Sequence, residues 1–331
     1  MEMLFKYSAL LPIEYFNSPT IKLSVPEHLN DPFEYETSHN ITEAIKNCLT
    51  NAKIPEEKIR KLSGVFIESI HKLISAHGII SLTETPRNSL MWAHYAEQHN
   101  GMCIGYNTNL INHLPTYEDN NNIIIEKKPI KVNYDNLRFS SEHIFNDILS
   151  ADRATFIDKL TKKSDEWIYE KEHRCIVPYI ESNKIIIKNK KSNLSSLKYP
   201  DRRIICLEDK HTLSDWISTA TKLGFIAKKQ NRKKTDNVYE LIKPTDKGSL
   251  SMFQATLQVL SNSSNVSFLI DIPITMIESI YFGCKVTKAD ILPYFKKLGG
   301  NINIFHLSVC KNRFELIPNP VTTEYLKEEL K

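Results

Sequence analysis

The sequence predicts an α+β fold: a central mixed or antiparallel sheet flanked by helices, in one large domain over residues 1–331. Three observations carry this. Segments with strand alternation and segments with helical periodicity both recur along the chain, without a steady βαβ rhythm. The usual nucleotide fingerprints, a GxGxxG turn and a P-loop, are absent. The composition is 41% hydrophobic and 25% charged with 9 glycines, which fits a globular protein and excludes collagen, coiled coil and bulk disorder.

The elements follow in order. LFKY at 4–7 and IKLSV at 21–25 alternate as strands. LNDPFEYE turns around Asp31-Pro32, where Asn30 and Asp31 favour local side-chain bonding. Residues 41–76 carry helical periodicity in two pieces broken near Pro55. The second piece aligns Ile59, Leu62, Phe66, Ile70 and Leu73 on one face. IISLT at 79–83 is a strand, and a turn at Pro86 leads into a helix over 88–99, capped by Asn88 or Ser89 and stopped by Asn100-Gly101. Strand MCIGYN follows. Residues 107–122 read as loop, 123–134 as one or two strands interrupted at Pro129, 141–163 as helix and 167–180 as a strong strand. The stretch 181–265 reads as an irregular insertion with a helix near 213–223. Beyond it come strands at 266–272, 278–283 and 302–310, and a helix over 287–299 ending at Gly299-Gly300.

Composition also bounds function. There are 43 basic and 39 acidic residues, a net charge of +4, too even to announce a nucleic-acid binder. No run of about 18 apolar residues exists, so no membrane span is expected. The opening segment carries charges within its apolar run, unlike a signal peptide. Cysteines at 48, 103, 175, 206, 284 and 310 form no CxxC pair, which points to reduced thiols in a cytoplasmic protein and to no metal centre.

Several residue types in these patterns bear chemistry. If 167–180 is one strand, Ile168, Glu170, Glu172, Arg174 and Ile176 share a face, and Trp167, Tyr169, Lys171 and His173 share the other. Glu170 and Glu172 then lie about 7 Å apart. They form either an exposed ladder with Arg174 or a carboxylate pair lining a cleft, where burial raises at least one pKa. On the 88–99 helix, His94 and Tyr95 are either general acid/base and stacking groups or satisfied packing groups. Trp92 is a stacking group or a core anchor. Asn30, Asp31 and Glu34 line a site loop or cap a turn. Ser81 and Thr83 alternate on their strand, as Lys6 and Tyr7 stand on the opening one.

Four blocks in this order resemble the bacterial domain-of-unknown-function family 2971: the opening LFKY, IKLSVPEHLNDPFE, GIISLTETPRNSLMWAHYAEQHNGMCIGYN and SDEWIYEKEHRCIVP. A later IESIYFGCKVTKADI fits the same pattern, and Leu29 stands where the family usually has Phe. Membership carries no settled activity. The order of polar first strand, serine-bearing strand and E-x-E segment further resembles the split-sheet ADP-ribosyltransferases. That resemblance implies NAD as substrate and no metal. It implies that Lys6 or Tyr7 contacts the nicotinamide ribose, that Ser81 and Thr83 fill the second motif, and that Glu172 stabilises the ribosyl cation while Glu170 orients a protein or nucleic-acid acceptor. This sequence has no His or Arg in the first motif and S-L-T in place of S-T-S.

Two other readings stand beside it. Asp119, Glu126 and Lys128 have the residue types of a Mg²⁺-dependent nuclease, with KKQNRKK at 228–234 as a phosphate holder. The aromatic-histidine block also suits a non-catalytic sensor or adaptor of a phage-defence or stress module. The first reading requires the segments at 30–34, 81–84, 92–95 and 170–174 to converge.

Overall fold

The computed structural model describes residues 3–34, 39–107, 109–114, 129–138, 148–188, 212–229 and 237–327. Its strands are β1 (Met3–Ser8), β2 (Thr20–Leu23), β3 (His77–Thr83), β4 (Met102–Asn107), β5 (Ile130–Lys131), β6 (Asn133–Tyr134), β7 (Lys162–Lys163), β8 (Glu172–Pro178), β9 (Lys184–Ile187), β10 (Ile226–Lys228), β11 (Val238–Leu241), β12 (Val266–Asp271), β13 (Ile277–Phe282), β14 (Asn303–Val309) and β15 (Leu316–Pro320). Its helices are α1 (His39–Asn51), α2 (Glu56–Ala76), α3 (Ser89–Tyr95), α4 (Leu110–His113), α5 (Ile148–Thr161), α6 (Leu213–Lys222), α7 (Lys247–Ser261) and α8 (Lys288–Leu298). Side chains set the helix starts. Asn88 accepts from the N–H groups of Leu90 and Met91, and Thr212 and Thr287 form reciprocal capping boxes with Asp215 and Asp290.

Among the described residues the strands build two main sheets. The larger runs β15-β14-β13-β4-β1-β3-β8-β5, and the smaller β10-β11-β9-β12-β2. The larger sheet is mixed, because β13 and β14 run parallel while its other pairs are antiparallel. This is the α+β architecture that the sequence predicts. One packed cluster joins the sheets: Leu4, Ile80, Leu82 and Ile104 meet Ile21, Leu23, Ile185 and Phe268. Each such side chain, fully buried, contributes about 1.5–3 kcal/mol.

The centre of the large sheet is nearly split. β1 pairs with β4 at six positions and β3 with β8 at seven, but β1 and β3 share a single register pair, Phe5 opposite Thr83. Just beyond β2, Ser24 exchanges two backbone hydrogen bonds of 2.8 Å with Ile79 of β3. The smaller sheet is thus tied to the larger one beside the seam.

Three expectations are corrected here. The helix over 88–99 ends at Tyr95, because Glu97, Gln98 and His99 all take positive φ and fold the chain back. A Cβ on Gly101 would stand 2.2 Å from the Ser8 carbonyl oxygen, so this return needs glycine. The strand expected over 167–180 begins only at Glu172. Ser164 caps a 3-10 helix over Asp165–Glu170, and Lys171 (φ 45°) turns left-handed before β8. The stretch 181–265 is not irregular throughout, since its β9, β10 and β11 supply three strands of the smaller sheet.

Candidate functional site

A cavity of about 560 Å³ opens at the seam. β1 and β3 border it, as do β2 from the smaller sheet, the 28–34 loop, α3 and the 163–174 segment. Antiparallel partners share a face, so Thr83 with Glu172 and Ser81 with Arg174 project to one side of β3-β8. The left-handed turn at Lys171 brings Glu170 back to the same place by a route other than strand alternation.

The resulting charge cluster is buried. Arg174, 1% exposed, donates from Nε to Glu172 Oε1 (2.9 Å) and from Nη2 to Glu172 Oε2 (2.8 Å). Its Nη1 donates to the Leu160 carbonyl (2.7 Å) and lies 2.6 Å from Glu34 Oε2. Lys163 Nζ donates to Glu170 Oε2 at 2.7 Å, with Glu34 at 3.3 Å and Glu172 at 3.7 Å, and sits over the Trp167 ring. Three carboxylates therefore face two cations, a formal charge of −1 in a low-dielectric site.

These surroundings drive the two neighbouring glutamates apart. Burial pushes Glu172 upward, but Arg174 and Lys163 outweigh it and bring its carboxyl down to about 2. Glu170 goes the other way. Its burial and the Glu172 charge raise it above the ordinary carboxylate range, against the pull of Lys163. Tyr95 Oη donates to Glu170 Oε1 at 2.5 Å, and its own pKa is raised by burial and by Glu170. Asn30 Nδ2 donates to Tyr95 Oη at 3.2 Å.

The other candidate residues divide. Tyr7, Asn30, Glu34, Ser81, Thr83 and Tyr95 border the cavity with the glutamates and Arg174. Thr83 Oγ1 is committed to the Glu170 carbonyl (2.6 Å), which fixes the turn, and Tyr7 Oη to the Thr85 carbonyl (2.9 Å). Trp92 corrects a binding assignment. It is fully buried, donates Nε1–H to the Pro86 carbonyl (2.7 Å) and packs edge-on against Tyr7. His94 corrects another: α3 turns Met91, Trp92 and Tyr95 inward, so His94 is exposed beside Tyr169 and does not border the cavity. Asp31 borders a second cavity, of about 240 Å³, instead of the first; Glu34 and Lys163 border both. His173, on the opposite face of β8, meets Glu84 at 2.9 Å.

Sequence reasoning missed Lys163, because two lysines at a helix end carry no signal of burial, and Tyr134, whose hydroxyl accepts the Glu172 N–H (2.8 Å). Asp119, Glu126, Lys128 and most of the 228–234 run lie outside the described residues. Among the described residues, no group of three or more His, Cys, Asp or Glu side chains is placed to hold a metal ion, and no helix is long and apolar enough to cross a membrane.

Residues 91–175 match the family described as Protein of unknown function (DUF2971). Over these residues the chain is similar to that family. The matched segment begins inside α3 and ends in β8, so it contains Tyr95, Lys163, Glu170, Glu172 and Arg174 but neither β1 nor β3. No curated protein and no solved structure matches the chain.

Proposed function

We propose that this protein cleaves the N-glycosidic bond of NAD and passes ADP-ribose to an acceptor, either a protein or nucleic-acid group or water. The observation that carries the reading is the meeting of three segments at one seam: β1, the Ser81/Thr83 strand and the Glu170-Lys171-Glu172 turn. These follow the motif order of the ADP-ribosyltransferases, with Lys6 or Tyr7 standing where those enzymes have His or Arg.

The chemistry assigns the two carboxylates different work. As the C1′–N bond breaks, its electron pair leaves with nicotinamide and positive charge grows on the ribose. Glu172 is locked as an anion by a bidentate guanidinium, so it stabilises that charge without trading protons. Glu170 has a raised pKa, which brings it toward the range of a working base. It takes the proton from the acceptor as the new bond forms at C1′. Tyr95 and Lys163 hold Glu170 in place.

The experiment is release of nicotinamide from NAD by purified protein, wild type beside Glu172→Gln. Release by the wild type and an approximately hundredfold loss in the variant are expected, on the scale of one fixed transition-state contact. Absence of release from the folded wild type, offered protein, nucleic acid and water as acceptors, contradicts the proposal.

A further inference from the structure

The seam cavity is also lined by two lysines that the carboxylate cluster does not explain. Lys6 follows Phe5 on β1, so it points to the opposite face from Phe5, and it borders the seam cavity. Its Nζ donates to the Ser81 carbonyl at 3.1 Å. Lys22, in the middle of edge strand β2, borders the same cavity from the smaller sheet. The titratable groups facing Lys6 are Lys22, which opposes it, Glu172, which favours it but is already held by Arg174, and Cys175, whose thiol is pushed up to about 12 by burial. Lys188, following β9, adds a third positive charge facing Lys22. Among the described residues, neither Lys6 nor Lys22 forms an ion pair. Burial and Lys22 weaken the hold of Lys6 on its proton, to a pKa of about 8. Two like charges brought together over apolar walls are costly unless an anion joins them.

We infer that Lys6 and Lys22 form a subsite for a diphosphate, one lysine from each sheet, and that the ligand of this cavity is a small nucleotide diphosphate instead of an uncharged glycoside. An ammonium on a flexible stem is a point-charge phosphate binder, and two of them span two adjacent phosphoryl groups. The subsite deepens the NAD reading, on which the choice of nucleotide rests. Its charge and geometry are independent of any cleavage step.

The test is isothermal titration with two probes, inorganic pyrophosphate and ADP-ribose. Both bind the wild type at pH 7. Lys6→Met and Lys22→Met each weaken both by about tenfold or more, and Lys6→Arg retains binding. The phosphates of ADP-ribose keep their charge from pH 7 to pH 9, whereas Lys6 loses its proton through about 8. Wild-type affinity for ADP-ribose therefore falls about tenfold over that interval, and Lys6→Arg removes the fall. Circular dichroism checks that each variant is folded, and Lys22, being exposed, gives the variant least exposed to a folding defect. Unchanged binding in both lysine variants, or no binding of either probe to the wild type, overturns the subsite. Lysine-dependent pyrophosphate binding without nicotinamide release keeps the subsite and removes the NAD-cleavage reading. Nicotinamide release with lysine-independent binding does the reverse.

Discussion

Arg174→Met is expected to cost about 3–5 kcal/mol of stability, enough to cut soluble yield sharply. The side chain is 1% exposed and answers to three partners: both oxygens of Glu172, one of Glu34 and the Leu160 carbonyl. Methionine fills much of the volume but leaves Lys163 alone against three buried carboxylates. Urea unfolding at several pH values separates this from a packing defect. In the wild type the folded pKa of Glu172 is depressed to about 2, so its contribution is present above the ordinary carboxylate pKa and is lost as pH falls toward 2. That contribution is about 3 kcal/mol at ~1.4 kcal/mol per pH unit. In Arg174→Met the buried Glu172 loses the guanidinium that holds its pKa down, so its pKa is expected to rise and stability to increase as the pH is lowered from 7 toward 5. The Glu172 contribution is flat between pH 7 and 5 in the wild type, so a steeper rise in the variant over that interval is the expected result. Parallel trends, or a loss under about 1 kcal/mol, show that the pair is not the organising contact.

Glu170→Gln is expected to lower the turnover of NAD by 10²–10⁴-fold while changing KM little, the range for loss of a positioned proton acceptor. Glutamine keeps the size of the side chain and an oxygen for Tyr95 Oη, so the turn that Thr83 fixes survives. The wild-type rate rises with pH through the raised pKa of Glu170, and that limb disappears in the variant. A variant with full turnover and the wild-type pH profile removes Glu170 from the chemistry and leaves it as a support for Lys163.

How much of this was legible in the sequence depended on distance along the chain. Asn88 ahead of an apolar-polar helix pattern gives the cap and the start of α3, and the apolar, β-branched run CIVP gives β8, because both signals are local. The same local rule fails two residues earlier. Alternation put Glu170 and Glu172 together on a straight strand, yet Ser164-Asp165-Glu166 is a helix-start pattern, and the turn it begins ends left-handed at Lys171. The two glutamates meet in the same cavity, as expected, but through that turn. Trp92 and His94 were ambiguous because a seven-residue helix has one inner face, and which face it is depends on Tyr7 of β1, 85 positions earlier. Lys163 meets Glu34 from far earlier in the chain, and Ser24, just beyond β2, is tied to Ile79 of β3. These are long-range pairings, on which local periodicity carries no information.

The functional reading depends on two carboxylates, two residues apart, being held in opposite protonation regimes. The most direct measurement is a ¹³C NMR titration of the glutamate side-chain carboxyl carbons, with Glu170 and Glu172 assigned from their glutamine variants. The expected result is a Glu172 signal that stays ionised until about pH 2 and a Glu170 signal that titrates above the ordinary carboxylate range. Two signals titrating together near pH 4, as solvated glutamates do, contradict it.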